Sequence, residues 1–248
     1  VLTPLLTVIL LAAWICFALF CRWISVGTPR PGSLSIGLFY RFIQVYSRLV
    51  HRLEVTGQGH ALLCDQQTGP LVVVCNHTAG VDPAIVQSAM VREIRWMMAK
   101  DMMLPSCSWI WEWLRIIAVD TKARADTNSV REAIRHLNEG GVLGLFPEGG
   151  IERPSRQFRP FMAGAGLIIA RTQAPVLPVF ISGTPDVPQA WESLWTPSHA
   201  TLTIGPVMRF SADQNSESIN AQIKAWFERV SGWQTGTGPV STMSDTRT

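Results

Sequence analysis

Leu71-Val72-Val73-Val74-Cys75-Asn76-His77-Thr78-Ala79-Gly80-Val81-Asp82-Pro83 is the stretch on which the fold turns. Its apolar first part, with three valines in a row, suits a strand covered on both faces, as in a parallel sheet between layers of helices. The polar part contains a glycine, and Asp82-Pro83 is by itself a helix start, with Asp as N-cap and Pro at the first helical position. Outward from this stretch, short apolar runs keep alternating with amphipathic ones. Strands are expected at Arg52–Val55, Leu71–Cys75, Ile94–Met98, Val142–Phe146, Val176–Ile181 and Thr201–Ile204. Helices are expected at Pro83–Arg92, Ser106–Leu114, Thr127–Asn138, Ala163–Thr172 and Glu217–Val230. Such alternation predicts one α/β domain over residues 54–231, with a central mostly parallel sheet flanked by helices.

Ahead of that domain the composition changes. The chain is 47% hydrophobic and only 16% charged, against roughly 25% charged in an ordinary soluble domain. Val1–Cys21 carries no charge, and about 20 apolar residues span a bilayer core, whereas a signal h-region is shorter and follows a basic start. Residues 1–25 are therefore expected to form a transmembrane or membrane-embedded anchor. Val26–Ser35 is rich in Pro and Gly and reads as a linker. From Ile36 to Leu53 the residues Ile36, Phe39, Tyr40, Ile43, Val50 and Leu53 recur at helical spacing, with Arg41, Arg48 and Arg52 on the other side. A basic interfacial helix on anionic headgroups and an ordinary surface helix both fit residues 26–53.

Charge supports the division. With 21 basic against 18 acidic residues the net +3 is too mild for a dedicated nucleic-acid binder, so no nucleic-acid partner is expected. Five arginines, Arg22, Arg30, Arg41, Arg48 and Arg52, precede the first acid, Glu54, and leave 16 basic against 18 acidic residues for the remainder. By the positive-inside rule the domain after the anchor faces the cytoplasm. The five cysteines form no CxxC pair, which offers neither a zinc spacing nor a disulfide framework. Residues 232–248 are polar and rich in Gly, Thr and Ser, the composition of a disordered tail.

Two clusters carry chemistry. His77 leaves the carboxyl end of an α/β strand in a loop before a helix, where such folds place their sites, and imidazole is the natural general base near neutrality. Gly80 lets the loop fold Asp82 back onto the ring as an orienting carboxylate; Asp82 as a plain helix cap is the competing reading, and both can hold. The second cluster is Phe146-Pro147-Glu148-Gly149-Gly150 at the end of another strand. Read alone it is a turn with a solvated glutamate.

Together, Asn76-His77-x4-Asp82 and Phe146-Pro147-Glu148-Gly149 resemble the first and third blocks of the glycerolipid acyltransferases, the lysophosphatidic acid acyltransferase family. Ala99-Lys100-Asp101 with Ile117-Ala118-Val119-Asp120 is similar to the family's second region, and Ala174-Pro175-Val176-Leu177-Pro178-Val179 to its fourth. The resemblance covers residues 54–205. It implies acyl transfer from an acyl thioester, acyl-CoA or acyl carrier protein, to a lipid hydroxyl, with no other cofactor and no metal. By the same resemblance His77 is the general base, Asp82 orients it, and Asn76, Lys100, Glu148 and Gly149 belong to substrate binding. The first acceptor is then 1-acyl-glycerol-3-phosphate, in a membrane of lipid partners.

This sequence departs from the family at three basic positions assigned to the acceptor's phosphate, where it carries Thr121, Ile151 and Met162. Lys122 and Arg124 near the first gap, and Arg153, Arg156 and Arg159 after the second, are candidate replacements; a solvated loop face explains the last three as well. A phosphate-free hydroxylated lipid remains an alternative acceptor. Three further readings compete: a hydrolase with Cys75 as nucleophile, a metal enzyme built on His77, Asp82 and Glu148, and a non-catalytic lipid-binding module. Trp109, Trp111 and Trp113 spread over two faces of a short helix and suit either the core or a membrane–water interface.

Overall fold

The computed structural model describes residues 2–30, 32–121, 126–153 and 155–235. In chain order the elements are α1 (Leu2–Ser25), α2 (Leu34–Leu49), β1 (Glu54–Thr56), α3 (Gln58–Asp65), β2 (Leu71–Cys75), α4 (Asp82–Ser88), β3 (Ile94–Ala99), α5 (Ser108–Trp113) and β4 (Ile117–Val119). They continue with α6 (Thr127–Asn138), β5 (Val142–Leu145), α7 (Ala163–Thr172), β6 (Val176–Ser182), β7 (Thr201–Ile204) and α8 (Ser216–Ser231). The described strands form a seven-stranded sheet in the order β1-β7-β6-β2-β5-β3-β4. The five from β6 to β4 run parallel; β7 pairs antiparallel with β6 and parallel with β1.

All five residues of β2 are buried, because both faces of the sheet are covered. Val73 and Cys75 join Ile85 and Val86 of α4 and Ala61 of α3 in one core, while Val72 and Val74 join Leu137 of α6, Ile169 of α7 and Phe227 of α8 in the other. The carboxyl ends of β2, β5 and β6 therefore lie side by side at one edge of a three-layer domain, as expected from the alternation. Sequence boundaries shift by a few residues. Expected helix Pro83–Arg92 stops at Ser88, since the Asp65 carboxylate takes the N–H groups of Val91 and Arg92 and turns the chain out of the helix. Strand β4, helix α3 and a short 3-10 turn at Ala190–Leu194 have too few residues for a readable period.

The N-terminal region keeps its helices and changes their meaning. Pro4–Ser25 is long and apolar enough to cross a membrane, and its most apolar stretch is exposed, while Ile24 near its end is buried. At Gly37 α2 crosses α1 so closely that a Cβ would stand 2.3 Å from the Ile24 carbonyl oxygen. Ile36, Tyr40 and Ile43 are buried, as their spacing predicts. The arginine stripe does not form. Arg52 lies beyond the end of α2 with φ 42° and contacts His199, and Arg41 turns back to donate to the Trp23 and Val26 carbonyls. The exposed side of α2 carries Leu34, Leu38, Phe42, Val45 and Leu49 beside Arg48.

Residues 232–235, at the start of the expected tail, are packed against the domain. Trp233 packs edge-on against Phe180 and beside Phe158, with centroids 5.0 and 5.5 Å apart, and the Phe158 N–H donates to the Gln234 carbonyl. Residues 232–235 thus belong to the domain, and 236–248 lie outside the described residues.

One glycine controls the packing at the site edge. Gly144 in β5 pairs with Trp96 in β3, and a Cβ there would stand 2.4 Å from the indole ring. Gly144→Ala is expected to cost about 1–3 kcal/mol through overpacking, read as a lowered midpoint in thermal unfolding followed by circular dichroism.

Candidate active site

His77 sits two residues past β2, and its ring is held from two sides. Its Nδ1 lies 2.9 Å from Asp82 Oδ2, and its face stacks on Phe146 with centroids 4.0 Å apart and planes at 16°. Phe146 in turn stacks on Trp96 at 4.8 Å. A ring column thus crosses the ends of β2, β5 and β3. With Nδ1–H donated to the carboxylate, Nε2 carries the lone pair that a base needs.

Asp82 does not cap α4; that role was one of two readings and the structure excludes it. The cap residue is Val81, and the Asp82 side chain, wholly buried, folds back over its own loop. Its Oδ2 accepts from the Thr78 and Ala79 N–H groups at 2.7 and 2.8 Å as well as from His77. Thr78 Oγ1 lies 3.2 Å from Oδ1 and also contacts Thr184 after β6. Gly80 is required here because a Cβ would stand 2.4 Å from the Ala190 carbonyl. These amides are therefore committed to Asp82.

Asn76 is held inside the fold. It is fully buried, and its side chain exchanges two hydrogen bonds with the Ile181 main chain of β6, at 2.8 and 2.9 Å. Glu148 is not solvated either. It is 2% exposed, and its two oxygens accept the His77 N–H at 3.0 Å and the Arg159 N–H at 2.9 Å. Burial pushes its carboxyl up to about 7, against the pull of those two N–H donors and the Arg159 charge. Gly149 has φ 67°, which favours glycine.

The basic candidates separate. Lys100 is exposed at the end of β3, 3.8 Å from Asp120. Lys122 and Arg124 lie outside the described residues. Arg153 is engaged with the Glu152 and Val187 carbonyls and with Asp186, and Arg156 is exposed. Arg159 is half-buried and lies over Gly150. Cys75 is completely buried, and burial raises its thiol well above the ordinary range; as a nucleophile it has neither access nor a thiolate.

Sequence reasoning missed Glu152. It is 2% exposed, its N–H donates to the His77 carbonyl at 2.7 Å, its Oε1 accepts from the Arg156 N–H, and Oε2 has no partner among the described residues. Nothing in its spacing distinguishes it from a loop glutamate. Thr184 was more legible, since Ser182-Gly183-Thr184 ends a buried strand as Asn76-His77 does.

A model of the acyltransferase family matches residues 52–182, more than half of the chain, and the chain belongs to that family. Among solved structures its fold is similar to the crystal structure of the 1-acyl-sn-glycerophosphate (LPA) acyltransferase PlsC from Thermotoga maritima. The TM-score is 0.64 with 22% identity, over 79% of this chain and 77% of that one. A search of curated proteins gave no match.

Burial pushes the Glu152 carboxyl up to about 8, with Glu148 and Asp82 adding to the rise. The folded protein therefore holds protons that the unfolded chain, titrating near 4.5, releases. Stability is fully present below that value and is lost as pH rises through about 7 and about 8. Glu152→Gln is expected to flatten this alkaline decline, measured as the unfolding midpoint at a series of pH values.

Proposed function

We propose that this chain is a membrane-bound O-acyltransferase that moves a fatty acyl group from an acyl thioester, acyl-CoA or acyl carrier protein, to the hydroxyl of a lysolipid. Lysophosphatidic acid, giving phosphatidic acid, is the first acceptor. The observation that carries the reading is the His77–Asp82 pair at 2.9 Å on the carboxyl edge of the sheet, in a chain of the acyltransferase family.

Nε2 of His77 takes the proton of the acceptor hydroxyl as its oxygen attacks the thioester carbon. Asp82 keeps the ring in the required tautomer and offsets the imidazolium that forms. Collapse of the tetrahedral intermediate forms the ester, breaks the C–S bond and returns the proton from His77 to the departing thiolate. No side-chain nucleophile enters, which suits the buried state of Cys75.

The apolar surface supports a membrane setting. The exposed face of α1, the stripe Leu34, Leu38, Phe42, Val45 and Leu49 on α2, Trp109 at 67% and Trp195 at 82% exposure are more than a water-facing domain carries without use. Trp111 leans on Trp191 and Trp113 on Phe39, which joins α5 to the same region as α2. Arginines concentrated beside the anchor favour a cytoplasmic domain.

Purified protein in detergent, given a radiolabelled acyl thioester and a set of lysolipids, is expected to form labelled diacyl product. Asp82→Asn should lower kcat by about 10⁴-fold by analogy with other orienting carboxylates, His77→Ala should abolish transfer, and Cys75→Ala should leave it. Free fatty acid as the sole product would overturn the reading.

A further inference from the structure

Strands β2 and β6 leave the sheet side by side, and a side-chain clamp carries their pairing past the last strand residues. Cys75 pairs with Val179, and Asn76 exchanges two hydrogen bonds with the Ile181 main chain. Just beyond Asn76 stands Thr78, and just beyond Ile181 stands Thr184. Gly183 turns the chain between β6 and Thr184 with φ 72°, and a Cβ there would run into the His199 carbonyl. On the far side Pro185 is buried, and Arg153 holds the segment by donating to the Val187 carbonyl and pairing with Asp186. The two threonine hydroxyls are thereby brought into contact.

The direction of that contact is set by the hydrogens on hand. Asp82 is 0% exposed, and a carboxylate only accepts. Its Oδ2 receives three N–H donors, from His77, Thr78 and Ala79. Its Oδ1 has, among the described residues, the Thr78 hydroxyl alone, 3.2 Å away. Thr78 Oγ1 carries one hydrogen, which goes to Asp82, so the hydrogen between the two threonines is the one on Thr184. The order runs from Thr184 to Thr78 to Asp82, with His77 donating to the same carboxylate from the other side. Donors in series polarise one another, and a hydroxyl that receives a bond gives a stronger one. Asp82 draws its direct donors from its own loop, and Thr184 reaches that loop from another strand.

We propose that Thr184 is a positioning residue of the active site, which aims the Thr78 hydroxyl at Asp82 and so fixes the carboxylate that holds the His77 ring. The inference rests on the acyl-transfer reading above, in which His77 is the base, and adds a pair of hydroxyls that act through Asp82. Without the Thr184 hydroxyl, Thr78 loses the partner that keeps its own hydrogen on Oδ1, the oxygen with no other donor.

The test measures kcat and KM for acyl transfer by the full chain in detergent, with radiolabelled acyl-CoA and 1-acyl-glycerol-3-phosphate. Valine keeps the branched shape of threonine and removes its hydroxyl, while serine keeps the hydroxyl. Thr184→Val is expected to lower kcat by about 3- to 10-fold, the scale of one neutral hydrogen bond, with both KM values unchanged. Thr78→Val, which strips Oδ1 of its donor, should lower kcat by about 10- to 100-fold. Thr184→Ser, which puts a hydroxyl back, recovers the loss. In the Thr78→Val background, Thr184→Val adds nothing, because the relay is already cut. Thr184→Ala lacks the same hydroxyl and should show the same fall, so a folding failure of the valine variant leaves the comparison intact. An unchanged kcat in Thr184→Val and Thr184→Ala overturns the inference. So does a fall shared by Thr184→Ser, an additive loss in the double variant, or a change confined to KM. Each of these leaves the acyl-transfer reading standing. Wild type that acylates no lysolipid overturns that reading, and this inference with it.

Discussion

The Glu148 carboxylate is the joint on which the site hangs. Two oxygens just past β5 hold the main chain of His77 after β2, 71 residues away, and of Arg159 before α7, 11 residues on. Neither bond is strong alone, since a hydrogen bond to a charged group adds about 1.5–3 kcal/mol net. Losing the carboxylate would leave two N–H groups without their partner and free two loops at once. The cost of holding this acid at 2% exposure is visible in its raised pKa. A nearby pair of amides and the Arg159 charge offset part of that cost.

Around this joint the His77–Asp82 pair needs little else. Asp82 draws its hydrogen bonds from its own loop, so the geometry of His77 is set within six residues, and Gly80 is what permits the loop to close under the Ala190 carbonyl. Phe146 then closes the remaining freedom of the imidazole by covering one face. The His77–Asp82 pair is thus built from short-range contacts, while the turn Pro147–Gly150 is covered by chain that arrives from residues 159–162, and Phe158 before them is backed by Trp233 from beyond α8.

That difference explains what could be read in the sequence. The strand Leu71–Cys75, its loop and the His77–Asp82 pair were legible because periodicity and local chemistry express short-range constraints. The bonds of Asn76 were not legible because its partner, Ile181, lies 105 residues away, and nothing local says that the side chain bonds to the neighbouring strand. Glu152 was invisible for the same reason, since its main chain bonds to His77 in a distant segment. On α2 the periodicity found the buried face but not the second apolar stripe, since a helix with apolar residues on two sides has no single direction for a pattern to report. Arg52 fell off the expected stripe because the helix ends at Leu49.

The ring column from His77 through Phe146 to Trp96 ties the catalytic strand to the volume of residues two strands away. Gly144 has no side chain where Trp96 lies flat, so the two positions share one fixed allotment of space. In descendants of this sequence, a side chain can enter at position 144 only when position 96 gives up its large ring. The histidine would then lose the second layer behind its stacking partner. Size at 96 and size at 144 should therefore drift in opposite directions through evolution, a coupled history tied to a histidine that neither residue touches.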